Sequence, residues 1–425
     1  MSQYTLQFQC LAENAYCLKD SPKKDFYLYI VLQGGAAPKN NKRIPLNISL
    51  VIDRSGSMAG DKLNYVKKAV DFVIDNLSAE DILSILQYDD LVEVLSASAK
   101  VTNKAELHRL VQKIQDRNST NLSGGMLEGY NQVALTLQKA FVNRVLLLSD
   151  GLANVGIVDP AQLQQIAQKK FREESIGLST FGVGADFNEI LMTNLSEYGG
   201  ANYYFIDKPD QIPQIFAQEL EGLLAVVAQN THLKVKFPAK QVRCEKVYGY
   251  PFTVSQHEIS INFNDVFAEE KKAVLIKFEV LGTLQEGLHF EADLEYDDVV
   301  NIKKIQEKAS LSIPISPDEK SYTAGVNPIV IEQTALFVAN DLFEEAIRHA
   351  DKHDMEAAKK TIAQIKTYLD TYFKIIVPGE ELKKQYQQIL DYEQQLEQMV
   401  YMSSTDYLMA QKTSRSESYK LRKKK

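Results

Sequence analysis

The sequence predicts an α/β protein built around a doubly wound, Rossmann-like domain, with an antiparallel β-sandwich and a C-terminal α-helical region beside it. From Leu46 to about residue 228, apolar strands alternate with segments of helical periodicity. This alternation is typical of a mostly parallel sheet that carries helices on both faces. After Asn230 the chain shows β-rich runs joined by polar turns, and from Pro328 onward the patterns are helical.

The two β-rich runs at 4–12 and 26–32 precede the α/β segment. We predict that they join the strands found after residue 230, so that the α/β domain is inserted into a discontinuous β-sandwich. The predicted boundaries are 1–43 for the N-terminal strands, 44–230 for the α/β domain, 231–317 for the rest of the sandwich, 328–410 for the helical region and 411–425 for a basic tail. We expect this tail to be disordered when it is free.

Composition limits the function classes that the chain can serve. Its 48 basic and 56 acidic residues give a net charge of -8, which argues against a nucleic-acid-binding body. The N-terminus has no secretory pattern, and no apolar run has the length of a membrane span. Cys10, Cys17 and Cys244 are odd in number and form no CxxC pair, which indicates reduced thiols and a cytoplasmic location.

An apolar strand that ends abruptly in an acid and two hydroxyl side chains is the most informative feature of the sequence. Asp53, Ser55 and Ser57 follow the run 47–52 and precede a helical pattern that begins near Asp61. In open α/β sheets, ligands bind at the carboxyl ends of the strands. Oxygen side chains are the ligands that hard divalent cations prefer. The alternative interpretation is an ordinary βα turn in which Ser57 caps the next helix.

Two further polar segments can complete such a site. Thr120 lies in a polar, glycine-containing loop at 119–125, and Asp150 ends a second buried strand at 144–149. Because neighbouring strand ends of a doubly wound sheet share one edge, we expect Asp53 and Asp150 to converge.

The segments DRSGSM, STNLSGG and LLLSDG, in this order on alternating strands and helices, resemble a von Willebrand factor type A (VWA) domain with its metal-ion-dependent adhesion site. The resemblance covers residues 44–230. It implies Mg2+ as the cofactor, with Ca2+ or Mn2+ as alternatives. By the same resemblance, Ser55 and Ser57 would bind the metal directly, Thr120 directly or through water, and Asp53 and Asp150 mostly through water.

The resemblance also implies a partner. In this family an Asp or Glu carboxylate of a partner protein completes the metal site. The chain is similar to intracellular bacterial VWA proteins that act as scaffold, assembly or regulatory factors, which suggests an ATPase, kinase or phosphatase system as the partner. Its order of domains also resembles that of the coat proteins of secretory vesicles.

Alternative functions depend on weaker signals. We predict that the protein is not an enzyme, because the chain lacks a GxSxG elbow and a phosphate-binding GKS or GKT loop, and His108 is the sole histidine within 44–230. Metal-dependent hydrolysis remains the alternative from the enzyme class. His349 and His353 are expected to form a solvated pair. The basic tail suggests either a nucleic-acid-associated factor, which the net charge disfavours, or a segment that docks on a partner or on this protein's own surface.

Overall fold

A computed structural model of the chain describes residues 5–20, 25–36, 43–117, 119–151, 154–263 and 265–423. The first four residues of the predicted N-terminal segment and the last two lysines of the predicted basic tail lie outside the described residues.

The described residues form sixteen strands and eleven α-helices. The strands are β1 (Leu6–Ala12), β2 (Asp25–Gly34), β3 (Leu46–Asp53), β4 (Ile82–Tyr88), β5 (Val92–Lys100), β6 (Val142–Ser149), β7 (Ile176–Val183), β8 (Tyr203–Ile206), β9 (Val226–Lys236), β10 (Val242–Tyr248), β11 (Phe252–Val254), β12 (Glu258–Asn262), β13 (Val266–Phe267), β14 (Lys271–Val280), β15 (Leu288–Asp298) and β16 (Lys303–Ile313). The helices are α1 (Asp61–Asn76), α2 (Lys104–Gln112), α3 (Leu122–Leu135), α4 (Pro160–Glu174), α5 (Glu189–Tyr198), α6 (Ile212–Leu224), α7 (Glu319–Ala324), α8 (Pro328–Asp351), α9 (Met355–Phe373), α10 (Glu380–Gln398) and α11 (Ser404–Arg422).

The α/β domain contains one six-stranded sheet in the order β5-β4-β3-β6-β7-β8. β5 is antiparallel to β4, and the other neighbouring pairs are parallel. Every residue of β3, β6 and β7 is buried, as expected for strands that are covered on both faces. The apolar core on one face includes side chains of α1, α2 and α6, and the core on the other face includes α3, α4 and α5. The predicted doubly wound arrangement is confirmed.

The remaining strands form two antiparallel sheets that face each other. One sheet has the order β1-β2-β14-β10, and the other has the order β11-β12-β9-β15-β16 with β13 beside β9. Their inner faces share one apolar core, in which Phe290 lies 5.9 Å from Phe26 and 5.2 Å from Phe278 between ring centroids. Because β2 pairs with β14 over nine residue pairs, the N-terminal strands belong to the sandwich, as predicted.

The passage from the α/β domain to the sandwich is shorter than the sequence suggests. Helical periodicity predicts a helix to about residue 228, but α6 ends at Leu224 and β9 begins at Val226. Val226 packs in the core of the α/β domain, while Val227 packs in the core of the sandwich. The apolar run at 223–228 therefore packs first in one core and then in the other. Helical periodicity alone could not locate the residue at which the helix ends and the strand begins.

The C-terminal region consists of α8, α9 and α10, which share one apolar core, followed by α11. α8 also packs on the outer face of the four-stranded sheet, where Val330 and Phe337 contact Tyr27 and Tyr29. Among the described residues, no helix has both the length and the apolarity that a bilayer crossing requires.

The expectation of a disordered tail at 411–425 is wrong, because its described part continues α11 as far as Arg422. α11 packs between α8 and β8, and Tyr419 lies edge-on to Tyr203 with ring centroids 5.6 Å apart. Lys412 Nζ donates to the Phe187 carbonyl at 2.6 Å, and Lys423 Nζ donates to the Gly249 carbonyl at 2.9 Å. The alternative interpretation, a segment that docks on this protein's own surface, describes the structure.

Candidate metal centre

The loop after β3 brings an acid and two hydroxyls together at the carboxyl edge of the sheet. The Ser55 N–H donates to Asp53 Oδ1 at 2.9 Å, and this bond turns the chain sharply. The hydroxyl oxygens of Ser55 and Ser57 lie 3.1 Å apart. Asp53 and Ser55 are buried, whereas Ser57 is exposed. Ser57 does not cap α1, whose N-cap is Gly60, so the interpretation as an ordinary capped turn is wrong.

The loop after β6 supplies the second acid. The fully buried Asp150 accepts a hydrogen bond from the Ser57 hydroxyl at 2.7 Å through Oδ1. Its other oxygen, Oδ2, lies 2.5 Å from the Lys62 ammonium. The preceding residue, Ser149, donates its hydroxyl to Asp53 Oδ2 at 2.8 Å. The ends of β3 and β6 are therefore joined through side chains, as the shared sheet edge predicts.

Thr120 reaches the same place from the loop before α3. A Cβ atom on Gly151 would lie 3.5 Å from the Thr120 hydroxyl and 4.0 Å from the Ser57 hydroxyl, so both oxygens face the Asp150 loop. The Thr120 N–H donates to the Asn154 side chain at 3.2 Å, which ties the two loops together. All five predicted residues thus lie at one edge of the sheet.

A buried ion pair joins the loop after β3 to the loop after β4, which in turn contacts the loop before α3. Arg54 Nε lies 2.7 Å from Asp89 Oδ2, and Arg117 Nε lies 3.4 Å from the same oxygen. The Asp89 carbonyl also accepts from the Asn121 N–H at 2.6 Å. Burial alone raises the pKa of Asp89, but the Leu91 N–H and the two guanidinium groups outweigh this effect and hold the pKa below its ordinary value. Arg54 is therefore paired with Asp89 and not with the Asp53 that precedes it in the chain.

The electrostatics of the site favour a bound cation. Burial raises the pKa of Asp53 to about 6, and the negative charge of Asp150 adds to this rise, against hydrogen bonds from Ser55 and Ser149 that lower it. Two buried carboxylates at one sheet edge repel each other, and Lys62 compensates only one of the two negative charges. Three hydroxyls and two carboxylates are an all-oxygen donor set, which fits Mg2+, Ca2+ or Mn2+ in chemical type.

Three contributors were missed by sequence reasoning. Lys62 looks like a surface lysine in the first turn of a helix, and nothing local in the sequence indicates its contact with Asp150. Ser149 directly precedes Asp150, and in the sequence it looks like an ordinary strand residue. Asp89 directly follows β4, at the same edge as Asp53 and Asp150, so the rule that ligands bind at strand ends could have found it.

The structure gives the remaining sequence candidates other contacts. His349 Nε2 lies 3.7 Å from Glu345, and the exposed His353 packs near Tyr407 with ring centroids 5.5 Å apart. Among the described residues, no group of three or more His, Cys, Asp or Glu side chains is arranged to hold a metal ion. In the basic tail, Arg415 pairs with Glu189 at 2.5 Å and Arg422 pairs with Glu197 at 2.7 Å. These two charges are used inside the molecule and are not offered to a nucleic acid, whereas Lys420 of the same tail is exposed.

His108 is a structural histidine that links α2 to α1. Its Nδ1 lies 2.6 Å from Asp71 and its Nε2 lies 3.0 Å from Asp75. The hydrogen bond to Asp71 is the largest cause that raises its pKa above 6.5, while burial opposes the rise. The charged imidazolium therefore stabilises the folded state fully below pH ~6.5, and this stabilisation is lost as pH rises through the raised pKa.

We expect His108→Gln to lower the melting temperature at pH 5.5 to 6 and to leave it close to that of the wild type at pH 8.5. Thermal unfolding of both proteins across this range measures the difference. His257→Gln, in an exposed turn before β12, is the control and should show no such dependence. A deficit for His108→Gln that stays constant with pH would contradict the role of the charged form.

Comparison with known proteins agrees with the geometry. The profile of the von Willebrand factor type A domain matches residues 47–218. The uncharacterized protein YfbK of Escherichia coli is 29% identical over 218 residues, which cover 51% of this chain and 38% of YfbK. This chain thus spans well under half the length of that relative.

Solved structures extend the likeness beyond the α/β domain. A von Willebrand factor type A protein from Catenulispora acidiphila superposes with a TM-score of 0.71 at 14% identity, over 91% of this chain and 90% of that one. The ArnB paralog VWA2 from Sulfolobus acidocaldarius superposes with a TM-score of 0.63 at 17% identity, over 97% and 98%. The expected likeness to vesicle coat proteins is found in human Sec24c, with a TM-score of 0.56 at 11% identity over 91% of this chain and 59% of that one.

At these identities the solved structures show the fold alone, and the profile match assigns residues 47–218 to its family. The sheet order, the polar strand ends and the matched segment agree with one another. Residues 47–218 of this protein form a von Willebrand factor type A domain, which belongs to a family of metal-dependent protein-interaction modules.

Proposed function

We propose that this protein is a Mg2+-dependent binding module that captures an acidic side chain of a partner protein, as an intracellular scaffold, assembly or regulatory factor. The observation that carries the proposal is the convergence of three hydroxyls and two carboxylates at one sheet edge. Ser57 is the link between them, 3.1 Å from the Ser55 hydroxyl and 2.7 Å from Asp150.

Ser55, Ser57 and Thr120 would hold the cation through their hydroxyl oxygens, and Asp53 and Asp150 would hold bound water around it. Neutral ligands leave the cation electron-poor, so that the bound ion supplies a position for a carboxylate from outside the chain. Ser57 is exposed while the other four residues of the site are buried, which gives such a carboxylate a direction of approach. Ca2+ or Mn2+ could replace Mg2+ in the same donor set.

Binding is favoured over catalysis because, among the described residues, no histidine lies at the site. His108 is the sole histidine between residues 44 and 230, and both of its ring nitrogens contact carboxylates of α1. A hydroxyl nucleophile such as Ser57 needs a neighbouring base, and the carboxylate that accepts from its hydroxyl, Asp150, is itself paired with Lys62. An intracellular location is supported by Cys10, Cys17 and Cys244, all of which are free thiols.

Isothermal titration with Mg2+ tests this proposal on the full chain. We expect one site in the wild type and no measurable binding in Asp53→Ala, because that change removes a buried acceptor of three donors. Ser57→Ala, at an exposed position, gives the same expected loss with little risk to folding. Wild-type protein that binds no divalent cation, or variants that bind as the wild type does, would overturn the proposal.

A further inference from the structure

We propose that Lys62 is an internal competitor of the metal ion, and that it also gives the loaded site its attraction for an anionic side chain. This inference rests on the proposed function and extends it to regulation of the same site. Lys62 Nζ lies 2.5 Å from Asp150 Oδ2 and has a side-chain exposure of 25%, so the charge lies at the rim of the site and not on the open surface.

The position of Lys62 has no explanation in helix stability. It is the second residue of α1, where the positive end of the helix dipole makes a cationic side chain unfavourable. Gly60, the N-cap residue, offers no side chain to the free N–H groups of this turn. The contact that compensates Lys62 is the carboxylate of Asp150, which reaches it from another strand.

Two neighbouring loops lie close to the Lys62 ammonium. A Cβ atom on Gly184, in the loop after β7, would lie 3.7 Å from Lys62 Nζ. The ammonium therefore lies between the loops after β6 and β7, and Asp150 is its partner there. The other basic side chain of the metal loop, Arg54, is bound to Asp89 at 2.7 Å and cannot take this place.

Charges at the site predict opposite effects on two ligands. Without metal, Asp53, Asp150 and Lys62 sum to one negative charge, and a divalent ion would bring the sum to one positive charge. A lysine within a few ångströms repels the incoming cation, which weakens its binding. The same lysine keeps the loaded site net positive, which strengthens the binding of a carboxylate. If Lys62 had a purely structural role, its removal would instead weaken the binding of both the cation and the carboxylate.

The test compares the full-length wild type with Lys62→Met, which keeps the length of the side chain and removes its charge. We expect Mn2+, measured by isothermal titration, to bind Lys62→Met about tenfold more tightly. Acetate serves as the carboxylate probe on the Mn2+-loaded proteins, with water proton relaxation as the readout. We expect acetate to bind Lys62→Met about three- to tenfold more weakly than the wild type.

Controls separate the possible outcomes. Lys68→Met removes an exposed charge from the same helix and should change neither affinity, and Lys62→Gln repeats the test if the methionine variant is unstable. If the wild type binds Mn2+ and the Lys62 variants bind it no more tightly, the role of Lys62 is overturned while the proposed function stands. If neither protein binds Mn2+, both this inference and the proposed function fail.

Discussion

Replacing Asp150 by asparagine is expected to weaken Mg2+ binding by about 10- to 100-fold while the fold stays intact. Asparagine has the same shape, and its amide oxygen can still accept the hydrogen bond that the Ser57 hydroxyl donates to Oδ1 at 2.7 Å. What the variant loses is the negative charge, so Ser57 keeps its orientation while the cation loses a carboxylate. The loss is measured by isothermal titration with Mg2+.

The matched control is Asp116→Asn, which makes the same chemical change at an exposed position in the loop that leads to Thr120. We expect it to bind Mg2+ nearly as the wild type does, because an exposed charge is screened by solvent and salt. Equal affinities for Asp150→Asn and the wild type would show that Asp150 is no part of a cation site. Equal losses in both variants would assign the effect to net charge.

The second large effect concerns the C-terminal helix. Glu197 is nearly buried and its Oε1 accepts from Arg422 at 2.7 Å and lies 3.4 Å from Lys423 Nζ. Lys423 is 1% exposed, and its ammonium lies 3.8 Å from the centre of the Tyr250 ring. Burial raises the pKa of Glu197, but Lys423 and Arg422 outweigh this and hold it below its ordinary value. The carboxylate is therefore the counter-charge for two enclosed cations.

We expect Glu197→Ala to destabilise the protein by about 3–5 kcal/mol, because it leaves a buried cation without its partner. Glu173→Ala is the matched control, since it breaks an exposed pair with Lys169 at 3.9 Å and should cost about 0–1 kcal/mol. Urea denaturation measures both variants. Hydrogen exchange should also rise along α11 in Glu197→Ala alone. Equal midpoints for the two variants would contradict the proposed role of this cluster.

The sequence could predict those features whose signals are local. Asp53, Ser55 and Ser57 follow an apolar strand directly, and the end of the neighbouring strand locates Asp150 at the same edge. The β-rich runs after residue 230 predict the sandwich for the same reason, because each run carries its own strand pattern and is bounded by polar turns.

Features that depend on distant partners could not be predicted in this way. Lys412 and Arg415 contact residues 225 and 226 positions earlier in the chain, so a composition typical of a solvated tail folds as a buried helix. Lys62 likewise meets Asp150 across 88 positions. In both cases a basic residue that looks solvated contacts a distant element: Lys412 meets a backbone carbonyl, whereas Arg415 and Lys62 each meet an acid. These contacts become visible only in three dimensions.

The most direct measurement is anomalous diffraction from a crystal of the full chain soaked in Mn2+. We expect a single strong peak against the hydroxyl oxygens of Ser55, Ser57 and Thr120, on the exposed side of Asp53 and Asp150. A crystal that shows no anomalous peak there at saturating Mn2+, or shows one only at another cluster of side chains, would contradict the proposed metal centre.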